Sequence, residues 1–263
     1  MDYPNYETLE LERDGQVLHV RLNRSEKRNA FNGKVVDDLR EFFTAANGDD
    51  ATRVVVMSGK GKSFCAGADL TWMAEQAELD EAGNEQGAAH MASMFLSIAR
   101  CQKPVVVRIH GHALGGGTGL TAAADIAIST DSALFGLTEV KLGIVPAVIS
   151  PFVIQKIGVG RARALFLTGE RFDGREAERI GLVYRAVSED QLDTEVARVV
   201  GELLSSGPAA VASAKALVKD VASLSLEDAI ALTSKWIAAI RSTPEAREGM
   251  QAFLDKRKPD WMT

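Results

Sequence analysis

The chain has 263 residues, of which 46% are hydrophobic, and carries a formal net charge of −6 at neutral pH. This length is sufficient to bury a sizeable core, and the composition is typical of a globular protein. The acidic balance provides no basic surface for nucleic acid, so we expect no nucleic-acid partner. The two cysteines, Cys65 and Cys101, are too few for a disulfide scaffold or a zinc site. We therefore expect buried free thiols in a reducing compartment.

No apolar run approaches the roughly 18–20 residues of a membrane-spanning helix, so we expect no membrane partner. The first residues, Met1-Asp-Tyr-Pro, do not have the composition of a signal or transit peptide. These observations predict a cytoplasmic protein.

The first 110 residues alternate between strand and helix patterns. Residues 7–23 predict a hairpin that turns at Asp14-Gly15, because two alternating segments flank a tight-turn dipeptide. A helix over 33–47, a buried strand over 53–58 and a helix over 70–76 follow. Residues 77–88 are polar and contain glycine, and we expect them to be the least ordered. A helix from about 89 to 101 and a strand over 104–109 complete this part.

The second half begins with a glycine-rich segment that leads into an apolar helix. Further patterns predict a strand over 125–130, a strand and loop over 135–145, three short helices between 150 and 181, and a strand over 182–187. Only helices are predicted after that, at about 189–206, 208–222, 225–242 and 244–256. Strands separated by helices favour an α/β fold with a parallel sheet. We expect an α/β core over 1–200 and a helical region over 201–263.

The segment Gly115-Gly-Gly lies between the strand at 104–109 and the apolar helix. Glycines let the backbone turn sharply and let a ligand approach the peptide N–H groups. The first turn of a helix also presents unpaired N–H donors and the positive end of its dipole. We interpret this segment as half of an oxyanion hole, which stabilises an oxygen that becomes negative.

A second small-residue turn, Phe64-Cys-Ala-Gly-Ala-Asp69, likewise follows a buried strand and precedes a helix. Two such turns can provide two convergent N–H groups. A thioester carbonyl requires this arrangement when its α-carbon becomes an enolate. The alternative is that small residues simply permit tight packing of strand against helix.

Glu139 lies in the segment Phe135-Gly-Leu-Thr-Glu-Val-Lys141, between apolar neighbours. A carboxylate in this setting either pairs with Lys141 or another base, or lines a cleft with a raised pKa. The residues alone leave both interpretations open.

Other candidate motifs are weaker. Gly117-x-Gly119-x-x-Ala122 formally fits a dinucleotide fingerprint, but the next strand ends well before the acidic residue that should close it. His110 and His112 have no neighbouring ligands, so we expect structural histidines and no metal site. Trp72 is compatible both with the core and with the wall of an acyl pocket.

Taken together, three linked segments resemble the enoyl-CoA hydratase/isomerase family, also called the crotonase family. These segments are Ser63-Phe-Cys-Ala-Gly-Ala-Asp-Leu, Gly111-His-Ala-Leu-Gly-Gly-Gly and Phe135-Gly-x-x-Glu-x-x-Leu-Gly-Ile-x-Pro. The resemblance implies a spiral of ββα units with a helical C-terminal region that forms a homo-trimer or a dimer of trimers. It also implies an acyl-CoA substrate and no cofactor other than the coenzyme A that the substrate carries.

By motif position, the family resemblance assigns the oxyanion hole to the N–H groups of Ala68 and Gly116, and a catalytic carboxylate to Glu139. It implies further substrate-binding residues in the two loops and near a chain end. These are Ala66, Gly67, Asp69, Leu70, Trp72, Gly115 and Gly119, with Lys27 and Lys256 as contacts for the coenzyme A phosphates.

One departure from the family pattern concerns the chemistry. Family hydratases usually have a second glutamate where this chain has Gly119. Finer features, including Val145-Pro-Ala-Val-Ile-Ser-Pro, are similar to methylglutaconyl-CoA and isohexenylglutaconyl-CoA hydratases of bacterial leucine and acyclic-terpene breakdown. We therefore expect hydration of a branched 2-enoyl-CoA. The alternatives are an enoyl-CoA isomerase or a glutaconyl-CoA-type decarboxylase that uses one glutamate, and a non-catalytic RNA-binding or scaffold protein.

Overall fold

The computed structural model describes residues 3–262. Within this range the chain forms nine strands: β1 Leu9–Asp14, β2 Val17–Leu22, β3 Val54–Gly59, β4 Val105–Ile109, β5 His112–Leu114, β6 Ile126–Thr130, β7 Leu134–Gly136, β8 Arg171–Phe172 and β9 Arg185–Val187. Eleven α-helices accompany them: α1 Gly33–Asn47, α2 Leu70–Ala77, α3 Glu81–Ala99, α4 Gly116–Ala123, α5 Ser150–Ile157, α6 Val159–Thr168, α7 Gly174–Arg179, α8 Leu192–Ser205, α9 Pro208–Val221, α10 Leu226–Arg241 and α11 Pro244–Leu254.

The strands form two sheets. The larger has six strands in the order β1-β2-β3-β4-β6-β9, and all of its pairs are parallel except the β1–β2 hairpin. The smaller has the order β5-β7-β8. Parallel pairing requires a crossover between neighbouring strands, which the intervening helices provide. The predicted α/β class and parallel sheet are confirmed.

Strand β3 is buried on both faces, as its short apolar run predicts. Val55 and Met57 point into the main core with α1 and α3, whereas Val54 and Val56 pack against α8 on the opposite face. The sheet is therefore covered on both sides, and the carboxyl ends of β3 and β4 lead into the two glycine-containing turns. Both cysteines are buried free thiols, as expected.

The prediction for residues 77–88 is wrong. Helix α3 begins at Glu81, and the Asp80 side chain caps it by accepting a hydrogen bond of 2.8 Å from the Gly83 N–H. The first half of α3 contains no buried residue and therefore lacks the apolar periodicity that identifies a helix. That periodicity first appears near Met94 and Phe95.

The strand and loop expected over 135–145 also need correction. Only Leu134–Gly136 is a strand, and a 3₁₀ helix at Thr138–Leu142 carries Glu139. The small sheet was not predicted, because strands of two or three residues leave too short a pattern in the sequence. The helices after residue 189 lie close to their predicted positions.

The predicted boundary at residue 200 falls inside α8. Leu192, Val196 and Val199 of this helix pack on the large sheet, so α8 belongs structurally to the α/β core. Helices α9 to α11 follow it. Within residues 3–262, no helix combines the length and apolarity needed to cross a bilayer.

The buried Asp38 ties β1 to α1. Its carboxylate accepts hydrogen bonds from the Thr8 N–H and hydroxyl, at 3.0 and 2.8 Å, and from the Lys34 ammonium at 2.6 Å. We expect Asp38→Ala to lower the free energy of unfolding by about 2–3 kcal/mol, because it leaves the buried Thr8 donors without acceptors. Urea denaturation measures this loss. Asp37→Ala, one residue earlier and exposed, is the control and should cost about 0.5 kcal/mol or less. Equal losses in the two variants would contradict the assignment.

Candidate active site

Two loops meet at the carboxyl ends of β3 and β4. Cys65 pairs with Ala113 in a parallel bridge. The Cys65 N–H donates to His112 O at 2.9 Å, and the Leu114 N–H donates to Cys65 O at 3.1 Å. The Phe31 N–H donates to Gly67 O, and the Asp69 N–H donates to Phe31 O, both at 2.9 Å. These bridges hold the two predicted turns side by side.

The glycines in these loops are required by backbone conformation and by close approach. Gly67 has a φ of +98°, and a Cβ there would lie 2.9 Å from Leu114 O. Gly116 is covered by the ring of Phe31, and a Cβ there would lie 2.2 Å from the ring. Side chains at these positions would either strain the backbone or push the loops apart.

The peptide N–H groups of Ala68 and Gly116 are free to bind a ligand. Neither donates a hydrogen bond to any group within residues 3–262, although the adjacent Asp69 and Gly115 N–H groups are both satisfied. Gly116 is the first residue of α4, where the N–H has no partner inside the helix. Both residues line the same cavity.

Glu139 lines this cavity as well. A Cβ at Gly115 would lie 3.2 Å from Glu139 Oε1, which places the carboxylate beside the glycine loop. Glu139 Oε2 is buried and has no hydrogen-bond partner among the described residues. Burial raises the pKa of Glu139 above its ordinary value. No ion pair joins Glu139 to Lys141 or to any other base within residues 3–262, so the structure supports the cleft-lining interpretation and not the paired one.

The cavity has a volume of about 770 Å³. Seven of the predicted site residues line it: Ala66, Gly67, Ala68, Leu70, Gly115, Gly116 and Glu139. The remaining wall was not assigned from the sequence. It consists mainly of apolar residues over 144–149, with Phe31, Met73 and Met91, and of two cationic side chains, Lys141 and Arg171. The apolar run Val145-Pro-Ala-Val-Ile is the sequence feature that could have indicated this wall.

Five predicted residues do not line the cavity. Asp69 instead caps α2 by accepting from the Thr71 N–H at 3.0 Å, and it pairs with Arg24 at 3.2 Å. Trp72 packs behind Phe31, with ring centroids 6.4 Å apart, so it supports the wall rather than forming it. Lys27 ends a 3₁₀ helix, and Lys256 follows α11; both lie outside the lining.

Gly119, the fifth, is buried in the middle of α4. A Cβ at this position would lie 2.3 Å from Ile149 Cγ2 and 3.0 Å from the ring of Phe95. The space that a larger side chain would need is therefore filled by Ile149. Among the residues that line the cavity in the described range, Glu139 is the single carboxylate. No cluster of metal-ligating side chains occurs between residues 3 and 262.

Comparison with known proteins identifies the family. A family model described as enoyl-CoA hydratase/isomerase matches residues 12–263. The chain belongs to the enoyl-CoA hydratase/isomerase family. It is therefore an enzyme of the hydratase/isomerase group with the crotonase fold.

Individual relatives agree with this assignment over nearly the full length. A crotonyl-CoA hydratase of Syntrophomonas wolfei is 33% identical over 260 residues, covering 98% of this chain and 99% of that protein. A crystal structure of an enoyl-CoA hydratase from Shewanella pealeana superposes with a TM-score of 0.93 at 34% identity, covering 97% and 96% of the two chains. A peroxisomal Δ(3,5)-Δ(2,4)-dienoyl-CoA isomerase of Arabidopsis thaliana is 30% identical, covering 98% of both chains. Relatives at similar identity thus carry different reaction names.

The raised pKa of Glu139 predicts a pH-dependent stability difference. Because burial favours the protonated carboxyl in the folded state, the folded protein loses stability as pH rises through the folded pKa. We expect Glu139→Gln to unfold at a higher denaturant concentration than the wild type at pH 8. The difference should disappear below about pH 3, where the carboxyl is protonated in both states.

Urea titrations across this pH range measure the effect. Glu85→Gln, which removes the same charge from an exposed position of α3, is the control for net charge. A Glu139→Gln variant that is less stable than the wild type at pH 8 would contradict the unpaired, buried carboxylate.

Proposed function

We propose that the protein adds water across the 2,3 double bond of an acyl-CoA thioester. The observation that carries this proposal is the meeting, in one cavity, of two unpaired peptide N–H groups and the Glu139 carboxylate, whose Oε2 is buried and has no partner among the described residues. The N–H groups of Ala68 and Gly116 hold the thioester oxygen as it becomes negative. Each such donor is typically worth about 3–4 kcal/mol of barrier, because its dipole is already oriented before charge develops.

Glu139 acts as both base and acid. It takes a proton from water as the water oxygen bonds to C3, and the π electrons move through C2 to the thioester oxygen to give an enolate. The same carboxyl then returns a proton to C2 on the same face, and the enolate collapses to the 3-hydroxyacyl thioester. Positioned proton transfer of this kind contributes about 10²–10⁴-fold. A raised pKa suits the carboxyl to both roles near neutral pH.

Isomerisation is the second candidate function. Moving a proton between C4 and C2 needs one carboxylate and no water, and Ile149 fills the space beside Gly119 that a second carboxylate would need. A decarboxylase of a glutaconyl-type thioester would use the same enolate stabilisation. All three reactions would use the oxyanion hole to stabilise an enolate. They differ in whether water is added at C3, a proton is moved from C4 to C2, or CO₂ is lost.

A distal carboxylate on the acyl group is the finer substrate proposal, in the class of methylglutaconyl-CoA. Lys141 and Arg171 both line the cavity, and neither side chain forms an ion pair or a hydrogen bond within residues 3–262. Arg171 lies opposite Gly136 in the small sheet, and Gly136 lies opposite Leu114, which precedes the glycine loop. Two unpaired cations at this wall favour an anionic acyl end.

The coenzyme A moiety is proposed to be the only cofactor-like group, carried by the substrate. Leu70 and the Ala66–Gly67 turn border the cavity and are available to the adenine end. The hydrogen bond from the Thr71 N–H lowers the pKa of the Asp69 carboxyl, and Arg24 and the charge of Lys27 lower it further, so Lys27 is near enough to this loop to serve a phosphate. Lys256 stays a prediction as the second phosphate contact.

Self-association into a trimer or a dimer of trimers is also proposed. Helices α9 to α11 expose large apolar side chains that a single chain leaves uncovered. These include Val218, Leu226, Ile230, Phe253 and Leu254. Exposed apolar area of this extent is typical of a protein–protein contact surface.

Glu139→Gln should fold and lose at least about 100-fold in kcat with crotonyl-CoA, because the amide cannot exchange protons with water and C2. The loss of the conjugated enoyl absorbance measures turnover, and Glu85→Gln serves as the control. Mass spectrometry of products formed in D₂O separates the reactions. A hydratase adds a deuteroxyl group and one deuterium, an isomerase replaces one hydrogen with deuterium, and a decarboxylase replaces the carboxylate with deuterium and releases CO₂. A Glu139→Gln variant with near-normal turnover would overturn the role of Glu139.

Arg171→Met and Lys141→Met should each reduce the ratio of kcat/KM for 3-methylglutaconyl-CoA to that for crotonyl-CoA. We expect a reduction of about threefold to thirtyfold, since each removes a charged partner of the distal carboxylate. Arg163→Met, which removes an exposed arginine of α6 outside the cavity, is the matched control. If the ratio is the same in all three variants and the wild type, the acyl group carries no anion at this wall.

A further inference from the structure

Helix α4 connects the oxyanion hole to a lysine at its opposite end. All eight residues from Gly116 to Ala123 are buried, and Gly116, whose N–H has no partner among the described residues, lines the cavity. At the carboxyl end, the Lys156 Nζ of α5 donates to Ala124 O at 2.8 Å and to Asp125 O at 3.0 Å. The ammonium group therefore contacts the carbonyls of the two residues that follow α4.

The charge of Lys156 is not cancelled locally. The nearby Asp125 carboxylate is engaged by Lys215 Nζ at 2.6 Å and by the Val105 N–H at 2.7 Å. No carboxylate forms an ion pair with Lys156 within residues 3–262. Asp125, Lys215 and Lys156 together leave one net positive charge at the carboxyl end of α4.

Holding this ammonium group in place costs free energy. Burial lowers the pKa of Lys156, whereas Asp125 acts to raise it and Lys215 to lower it. An apolar side chain of similar length would fill the same space without desolvating a charge. The two carbonyls accept two of the three N–H donors of the ammonium group. A neutral amine could donate the same two hydrogen bonds, so these contacts alone do not explain why the group is charged.

We propose that Lys156 is a positioning residue for the reaction and that its charge strengthens the oxyanion hole at the other end of α4. This inference rests on the proposed function. A cation at a helix carboxyl end offsets the negative end of the dipole and adds its own positive potential along the axis. Eight residues span about 12 Å, and a hydrogen-bond length of about 3 Å at each end places the ammonium group about 18 Å from a bound oxyanion. Across that distance, at an effective dielectric of about 20, one charge changes the stability of an enolate by about fivefold.

Enolisation of acetoacetyl-CoA tests this inference without knowledge of the natural acyl group. The ligand loses its acidic C2 proton to form an enolate that absorbs in the near ultraviolet, and no co-reactant is needed. We would titrate the bound enolate against pH in the wild type and in Lys156→Arg, Lys156→Gln and Lys156→Met. Arginine retains charge and donors, glutamine retains donors alone, and methionine retains neither. Lys219→Met is the control, because it removes a lysine from the last turn of α9, on another surface.

The proposal predicts that Lys156→Gln and Lys156→Met each reduce the apparent enolisation constant about three- to fivefold, while Lys156→Arg and Lys219→Met stay within about twofold of the wild type. With crotonyl-CoA, kcat should fall in Lys156→Gln and Lys156→Met with little change in KM. Thermal melts report stability separately, and Lys156→Gln and Lys156→Arg decide the matter if Lys156→Met does not fold.

Two failures are distinguishable. If the wild type binds acetoacetyl-CoA and forms its enolate but Lys156→Gln does so equally well, the role of Lys156 is wrong and the proposed function stands. If the wild type itself stabilises no enolate, the proposed oxyanion hole is wrong, and the inference falls with it.

Discussion

The active site depends on how two loops, Phe64–Asp69 and the glycine segment that leads into α4, are held together. Their backbone hydrogen bonds leave an N–H group in each without a partner among the described residues. Bridges between Phe31 and Ala68 and between Cys65 and Ala113 satisfy the surrounding backbone and fix the loops against each other. The Ala68 and Gly116 N–H groups at their meeting point stay without partners in the described chain. Unpaired donors in a folded protein cost free energy, but they remain able to donate a hydrogen bond to a ligand.

Glu139 follows the same physical logic. Its carboxyl lies beside Gly115, one oxygen has no partner within residues 3–262, and burial raises its pKa. The apolar wall over 144–149 lines the cavity beside these groups, and an apolar surround strengthens the electrostatic interactions of the donors and the acid. The same wall supplies Ile149, which packs against Gly119 and leaves the cavity with one carboxylate. Groups that destabilise the fold are thus concentrated where charge is expected to move.

The sequence predicted features that local chemistry determines. Glycines at a strand-to-helix turn can be identified because few other residues tolerate a φ such as the +98° of Gly67. The parallel strands were predictable because β3 is apolar at successive positions. The first half of α3 was missed because none of its residues is buried, and the small sheet was missed because its strands are very short.

What the sequence did not predict is set by contacts between distant segments. Nothing near Gly119 indicates that Ile149 fills the adjacent space, and nothing near Lys156 indicates that it meets the end of α4. Asp69 and Trp72 stand within the expected motif, yet they cap a helix and support Phe31 instead of lining the cavity. The direction of a side chain depends on its packing partners, and a single sequence does not contain those partners as a local pattern.

The vibrational frequency of a bound thioester carbonyl measures the polarising effect of the oxyanion hole directly. Isotope-edited infrared spectroscopy of carbonyl-labelled crotonyl-CoA, bound to Glu139→Gln to block turnover, isolates this one bond. Donation by Ala68 and Gly116 predicts a lower stretching frequency for the bound ligand than for the same thioester in water. A bound frequency equal to or higher than that of the free thioester would contradict the account.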